Sequence, residues 1–115
     1  MMNNWIDQLS NLRKGGKALA DHNPAVVKAY RGLNEALGEG GALDSKTREL
    51  IALAVAVTTR CDGCISSHSA AARQAGATEQ EVAEALGTAI ALNAGAAYVY
   101  SARAMEAFGQ FGENK

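Results

Sequence analysis

The sequence predicts an all-α, single-domain fold, and three observations point to it. Alanine is abundant between Ala18 and Ala107, proline occurs only at Pro24, and no stretch alternates apolar and polar residues with the β-branched enrichment of a strand. At 115 residues the chain has the size of one domain, 1–115, and no linker, internal repeat or low-complexity segment divides it. Its punctuation predicts a bundle of five to six helices.

A polar opening leads into a short helix around Trp5 to Leu12. Asn23-Pro24 then reads as the N-cap and first residue of a second helix. That helix carries Val26, Val27, Tyr30, Leu33 and Leu37 on one face, and the segment Gly38-Glu39-Gly40-Gly41 ends it. Asp44 caps a third helix, running through Glu49 to about Thr58. Its nearly continuous apolar stretch from Leu50 to Val57 predicts a central, buried element. The turn from Thr59 to Asp62 starts a fourth helix, which continues through Ala70 to Gln74 and stops at Gly76. Thr78 and Glu81 form a capping box that opens a fifth, with Val82, Leu86 and Ile90 inside. Asn93 to Gly95 is expected to break it, leaving a last helix from about Ala96 to Phe108 and a frayed tail from Gly109 onward.

Composition narrows the function classes. Hydrophobic residues at 48% and charged residues at 20% are ordinary for a globular protein. A net charge of −1 offers no clustered basic surface for nucleic acid or an anionic membrane. No segment approaches the ~20 apolar residues of a membrane span. The start, Met1 to Asp7, has neither a basic n-region nor an apolar h-region, so the expected location is the cytoplasm. In that reducing compartment a Cys-x-x-Cys pair is more often catalytic or metal-binding than a structural staple.

The chemistry is concentrated near the middle of the chain. Cys61-Asp62-Gly63-Cys64 holds the only two cysteines, His68 lies four positions beyond Cys64, and Glu49 lies twelve positions before Cys61. At ~100° per residue, Cys61, Cys64 and His68 share one helical face. A helix start favours negative charge and hence thiolate. His68, one turn from Cys64, can take its proton, and the second thiol can resolve an oxidised sulfur as a disulfide. If the Glu49 helix packs antiparallel on the Cys helix, its carboxylate comes level with His68 and can orient the imidazole or act as terminal base.

Plainer alternatives stand beside dithiol chemistry. Cys61, Cys64, His68 and Glu49 total four potential zinc ligands, although a structural zinc site usually has a second Cys or His pair. A non-catalytic oligomer with a vestigial site is a further alternative. His22 reads as a surface residue, and Trp5, Tyr98 and Tyr100 as packing or interface residues. The helical pattern argues against a thioredoxin fold, whose Cys-x-x-Cys lies between a strand and a helix.

The spacing Glu49-x11-Cys61-x2-Cys64-x3-His68 resembles the signature of alkylhydroperoxidase D-like proteins of the carboxymuconolactone decarboxylase superfamily. The likeness is strongest over 43–108 and includes Arg48-Glu49-Leu50-Ile51-Ala52-Leu53 and Glu81-Val82-x-Glu84. It implies an all-α subunit, assembly as a homo-oligomer (trimer or hexamer), and a thiol-dependent hydroperoxidase or disulfide reductase served by a dithiol reductant or partner protein, with no cofactor. Carried over by position, Cys64 attacks the hydroperoxide, Cys61 resolves it, and Glu49 and His68 form a proton relay. Some members carry a histidine between the cysteines where this chain has Gly63. The lactone-decarboxylating branch lacks the cysteine pair, so decarboxylation is not expected.

Residue types also favour association. A chain this short has a limited core. Its last two predicted helices combine close-packing Ala and Gly with Tyr98, Tyr100, Met105 and Phe108, which suit an interface.

Overall fold

The computed structural model describes residues 4–38 and 40–113, and among them every regular element is a helix. The five are α1 (Trp5–His22), α2 (Pro24–Gly38), α3 (Ser45–Thr59), α4 (Asp62–Gln74) and α5 (Glu79–Glu113). Local chemistry sets most of their ends. Asn4 caps α1 by accepting the Asp7 N–H at 3.0 Å, and Asp44 caps α3 through the Thr47 N–H at 2.8 Å. The capping box at α5 is reciprocal: the Glu81 carboxylate accepts the Thr78 N–H at 2.9 Å, and the Thr78 hydroxyl accepts the Glu81 N–H at 3.1 Å. After α4 the chain turns at Gly76, whose φ of +87° suits a residue without a Cβ.

Three expected helix boundaries are corrected. The first helix runs to His22, because Gly15 and Gly16 lie within it at a cost in helix propensity rather than ending it. Asn23 closes α1, its N–H reaching the Leu19 carbonyl at 2.7 Å, while its own carbonyl takes the Val27 N–H of α2 at 3.4 Å. The expected break at Asn93 to Gly95 is absent, and the tail is helical to Glu113. The Asn93 amide donates to the Ala89 carbonyl one turn back at 2.8 Å and to the Thr58 hydroxyl of α3 at 2.9 Å. Asn93 thus pins one continuous helix to its neighbour. Read as one element, α5 is long and apolar enough, by length and composition alone, to cross a membrane, which the two shorter predicted helices were not.

The tertiary frame is α3 packed on both α4 and α5, with α1 laid across α4 and α2 carried on α1. Leu53, Ala72 and Ala77 are the buried centre, flanked by Leu50 and Val82. Lys46 of α3 reaches Glu81 of α5 at 2.8 Å, joining the starts of these helices. The rest is open. The radius of gyration is 19.1 Å, where a compact chain of this length has about 13 Å. The apolar stripe of α2 is exposed along Val26, Tyr30, Leu33 and Leu37, and α5 is exposed beyond Ala89. Helix α3 is likewise not buried all round: Leu53 and Ala56 are covered, but Ile51 and Val55 are not. Its second apolar face lines a groove.

Candidate functional site

The site starts from a tight reversal. Between α3 and α4 stand only Arg60 and Cys61. Arg60 takes a left-handed conformation (φ 55°, ψ 49°), which costs a side chain with a Cβ about 1 kcal/mol. Its N–H bonds the Ala56 and Val57 carbonyls, and the Cys61 N–H follows to Ala56 at 3.1 Å. These bonds turn α4 back along α3. Cys61 then occupies the N-cap of α4, where its sulfur accepts the Cys64 N–H at 3.1 Å. The two cysteines, with Cα atoms 5.2 Å apart, form a disulfide at the positive end of the helix.

One turn beyond Cys64, His68 meets Glu49 of the antiparallel α3. Nδ1 of His68 lies 2.8 Å from Oε2 of Glu49, and the two side chains are 33% and 22% exposed. When Nδ1 donates its hydrogen to the carboxylate, Nε2 is the ring nitrogen left free to accept a proton. The spacing expectation for this pair holds: nineteen residues apart in sequence, they are hydrogen-bonded in space.

Cys64 and His68 line the same groove of about 430 Å³, whose walls are largely Leu37, Leu43, Ile51 and Val55. Arg48 is the single Lys, Arg, Asp or Glu among the described residues of its lining. A smaller hollow of about 250 Å³ is lined by Asn34, Ser45, Arg48, Glu49 and His68, giving the carboxylate–imidazole pair a polar side as well as an apolar one. The groove's walls were missed from the sequence. The available signal was the helical repeat of Arg48, Ile51, Val55 and Thr59, an α3 face distinct from the one that buries Leu53.

Helix α1 backs the Cys turn. The Ser66 hydroxyl, 3% exposed, donates to the Trp5 carbonyl at 2.9 Å. Gly63, between the cysteines, lies against Leu12. A Cβ there would stand 3.3 Å from both Leu12 methyl carbons, so a larger residue at position 63 requires the Leu12 side chain to give way by a few tenths of an ångström. His22 is exposed, as expected, and so are Tyr98 and Tyr100. Among the described residues no three or more His, Cys, Asp and Glu side chains are arranged to hold a metal, so the zinc alternative draws no support from this geometry.

Charge at the helix starts is tuned by local bonds. The Thr47 N–H holds the Asp44 carboxyl below its ordinary value. Lys46 and the Thr78 N–H do the same for Glu81, and Glu81 in turn raises the Lys46 ammonium.

Comparison with known proteins agrees with the fold. The family model of the carboxymuconolactone decarboxylase family matches residues 24–107. An uncharacterised protein of Haemophilus influenzae is 56% identical over 108 residues, covering 94% of this chain and 96% of its own length. Uncharacterised protein 4 of the cox locus of Paracoccus denitrificans is 37% identical over 98 residues, covering 83% and 88%. Among solved structures, an apo carboxymuconolactone decarboxylase family protein of Legionella pneumophila superposes with a TM-score of 0.75 at 34% identity, covering 96% of this chain and 98% of that one. A Thermotoga maritima family member, for which a part in the antioxidative response has been suggested, gives 0.64 at 28% identity, covering 89% and 95%. This chain is therefore an alkylhydroperoxidase D-like member of the carboxymuconolactone decarboxylase superfamily.

Proposed function

We propose that the protein is a thiol-dependent hydroperoxidase working through a Cys61/Cys64 dithiol–disulfide cycle. The observation that carries this is the shared groove: Cys64 and a His68 oriented by Glu49 open onto one apolar, small-molecule-sized space. In the cycle, Nε2 of His68 takes the Cys64 proton, and the thiolate attacks the terminal peroxide oxygen. The O–O bond breaks, the leaving alkoxide takes the proton from His68, and Cys64 becomes a sulfenic acid. The Cys61 sulfur then displaces the hydroxyl, which leaves as water with the Cys61 proton, and the disulfide forms. One hydroperoxide yields one alcohol and one water, and the protein gives up two electrons. An external dithiol, small or borne by a partner protein, returns them by exchange. Such a cycle suits the reducing cytoplasm.

The test is stoichiometric. Anaerobically reduced protein is mixed with one equivalent of cumene hydroperoxide, and free thiols, bound metal, alcohol and intact mass are measured. Loss of two thiols and about two hydrogens of mass per chain, with one alcohol formed and full recovery in dithiothreitol, is expected. Unchanged thiols would refute the proposal. Stoichiometric zinc in the reduced protein would favour the metal site instead.

We also propose that the working unit is a homo-oligomer, a trimer or hexamer by family resemblance. Support comes from surface. A monomer of 11.9 kDa exposes about 5,900 Å², whereas this chain exposes 9179 Å². The excess, roughly 3,300 Å², is the scale that obligate subunits bury. The apolar stripes of α2 and the outer half of α5 are its natural locations, so we read α5 as an interface helix rather than a membrane span.

A further inference from the structure

Building on the hydroperoxidase proposal, we infer that the groove beside Cys64 selects hydroperoxides carrying a carboxylate on an apolar chain, and that Arg48 is the residue that selects them. The walls supply apolar contact through Leu43, Ile51 and Val55, and Arg48 is the one fixed charge among them. Its guanidinium lies against the loop before α3: a Cβ on Gly41 would fall 2.8 Å from Nη2, so the absence of that side chain makes room for it. Among the described residues Arg48 has no ion-pair partner. The two nearby acids bond elsewhere, Asp44 accepting the Thr47 N–H at 2.8 Å and Glu49 meeting His68 at 2.8 Å. Beyond the Thr47 bonds, Arg48 acts on Asp44 only as a nearby charge that helps hold its carboxyl below the ordinary value. A half-buried arginine fork that forms no ion pair among the described residues is matched in shape and charge by a ligand carboxylate.

Spacing sets the kind of molecule. Arg48 and Val55 stand two turns apart, about 10 Å along α3. The Cys-bearing helix starts level with Ala56, where the Cys61 N–H meets that carbonyl. A ligand held by Arg48 with its peroxide toward Cys64 therefore has several carbons between its two ends. Hydrogen peroxide and compact neutral hydroperoxides reach Cys64 without using Arg48.

The experiment compares a medium-chain hydroperoxy fatty acid with its methyl ester, both below their micelle concentrations. Hydrogen peroxide serves as a third substrate and dithiothreitol as reductant. The readout is the acid-to-ester ratio of kcat/KM within each protein, which cancels any general loss of folding. Wild type is expected to favour the acid by about tenfold or more, as a charge-assisted pair would give. Arg48→Gln should bring the ratio near one, and Arg48→Lys should restore part of it. A wild-type ratio near one overturns the inference while leaving the hydroperoxidase intact. A ratio that survives Arg48→Gln overturns the role of Arg48. Failure to turn over all three peroxides overturns the hydroperoxidase itself, and the selectivity with it.

Discussion

Glu49→Gln is the most direct probe of the relay. Glutamine keeps the shape and one acceptor oxygen, so the 2.8 Å contact to Nδ1 of His68 can persist while the charge is removed. When His68 takes the Cys64 proton, the imidazolium then forms against a neutral amide. A charge-assisted hydrogen bond is worth about 1.5–3 kcal/mol net and a neutral one about 0.5–1.5. At 1.36 kcal/mol per decade, losing the difference slows thiolate formation by about tenfold. If the amide instead presents its N–H, the ring must adopt the other tautomer and Nε2 is no longer the base, which extends the loss toward about 10²-fold. Partial exposure of both side chains places the effect at the low end of general-base contributions. The assay is single-turnover: anaerobically reduced protein is mixed with excess cumene hydroperoxide, quenched at intervals, and the disulfide quantified by intact mass. Urea midpoints of variant and wild type should agree. A folded Glu49→Gln protein reacting at the wild-type rate would remove Glu49 from the mechanism.

Other outcomes follow from the same geometry. Cys64→Ser should abolish peroxide turnover, whereas Cys61→Ser should react once and stall as a sulfenic acid trappable by dimedone; repeated turnover by Cys61→Ser would reverse the two roles. Ser66→Ala removes the hydroxyl that ties α4 to the Trp5 carbonyl and should lower stability by about 0.5–1.5 kcal/mol in urea unfolding; no change would mean that α1 is not anchored there. Asp44 and Glu81 have depressed values, so their contributions are full above the ordinary carboxylate range and are lost as pH falls through the depressed values. The destabilisation caused by Glu81→Gln at pH 7 should accordingly shrink below about pH 4, and an equal penalty at both pH values would discount the Lys46 pair. Light scattering after size exclusion should give a multiple of the 11.9 kDa chain at micromolar concentration; a fully active monomer would defeat the association proposal.

The all-α class and the boundaries of α2, α3 and α4 were legible because the sequence marks their ends chemically: Asn23-Pro24, Asp44 and Gly76 each act where they were expected to. The Glu49–His68 contact was legible because a two-residue turn between long helices leaves little choice but antiparallel packing. Asn93 and Gly95 misled because their usual role in ending helices is a local preference. A tertiary hydrogen bond to Thr58 and an alanine-rich context override it. The groove was hidden for a different reason. The apolar run of α3 serves two faces at once, and periodicity alone does not say which face meets a neighbour and which is left open.

The bond from Ser66 to the Trp5 carbonyl gives the protein an optical handle. Trp5 is the only tryptophan in the chain, and its backbone is fastened two residues beyond Cys64 on the helix that carries both sulfurs. Leu12, on the same α1, rests on the glycine between them. A backbone bond thus ties the segment bearing the single indole to the Cys helix across sixty-one residues of sequence. If oxidation of the cysteine pair shifts the start of α4, native fluorescence is expected to register it, without an added label and without altering a residue of the site.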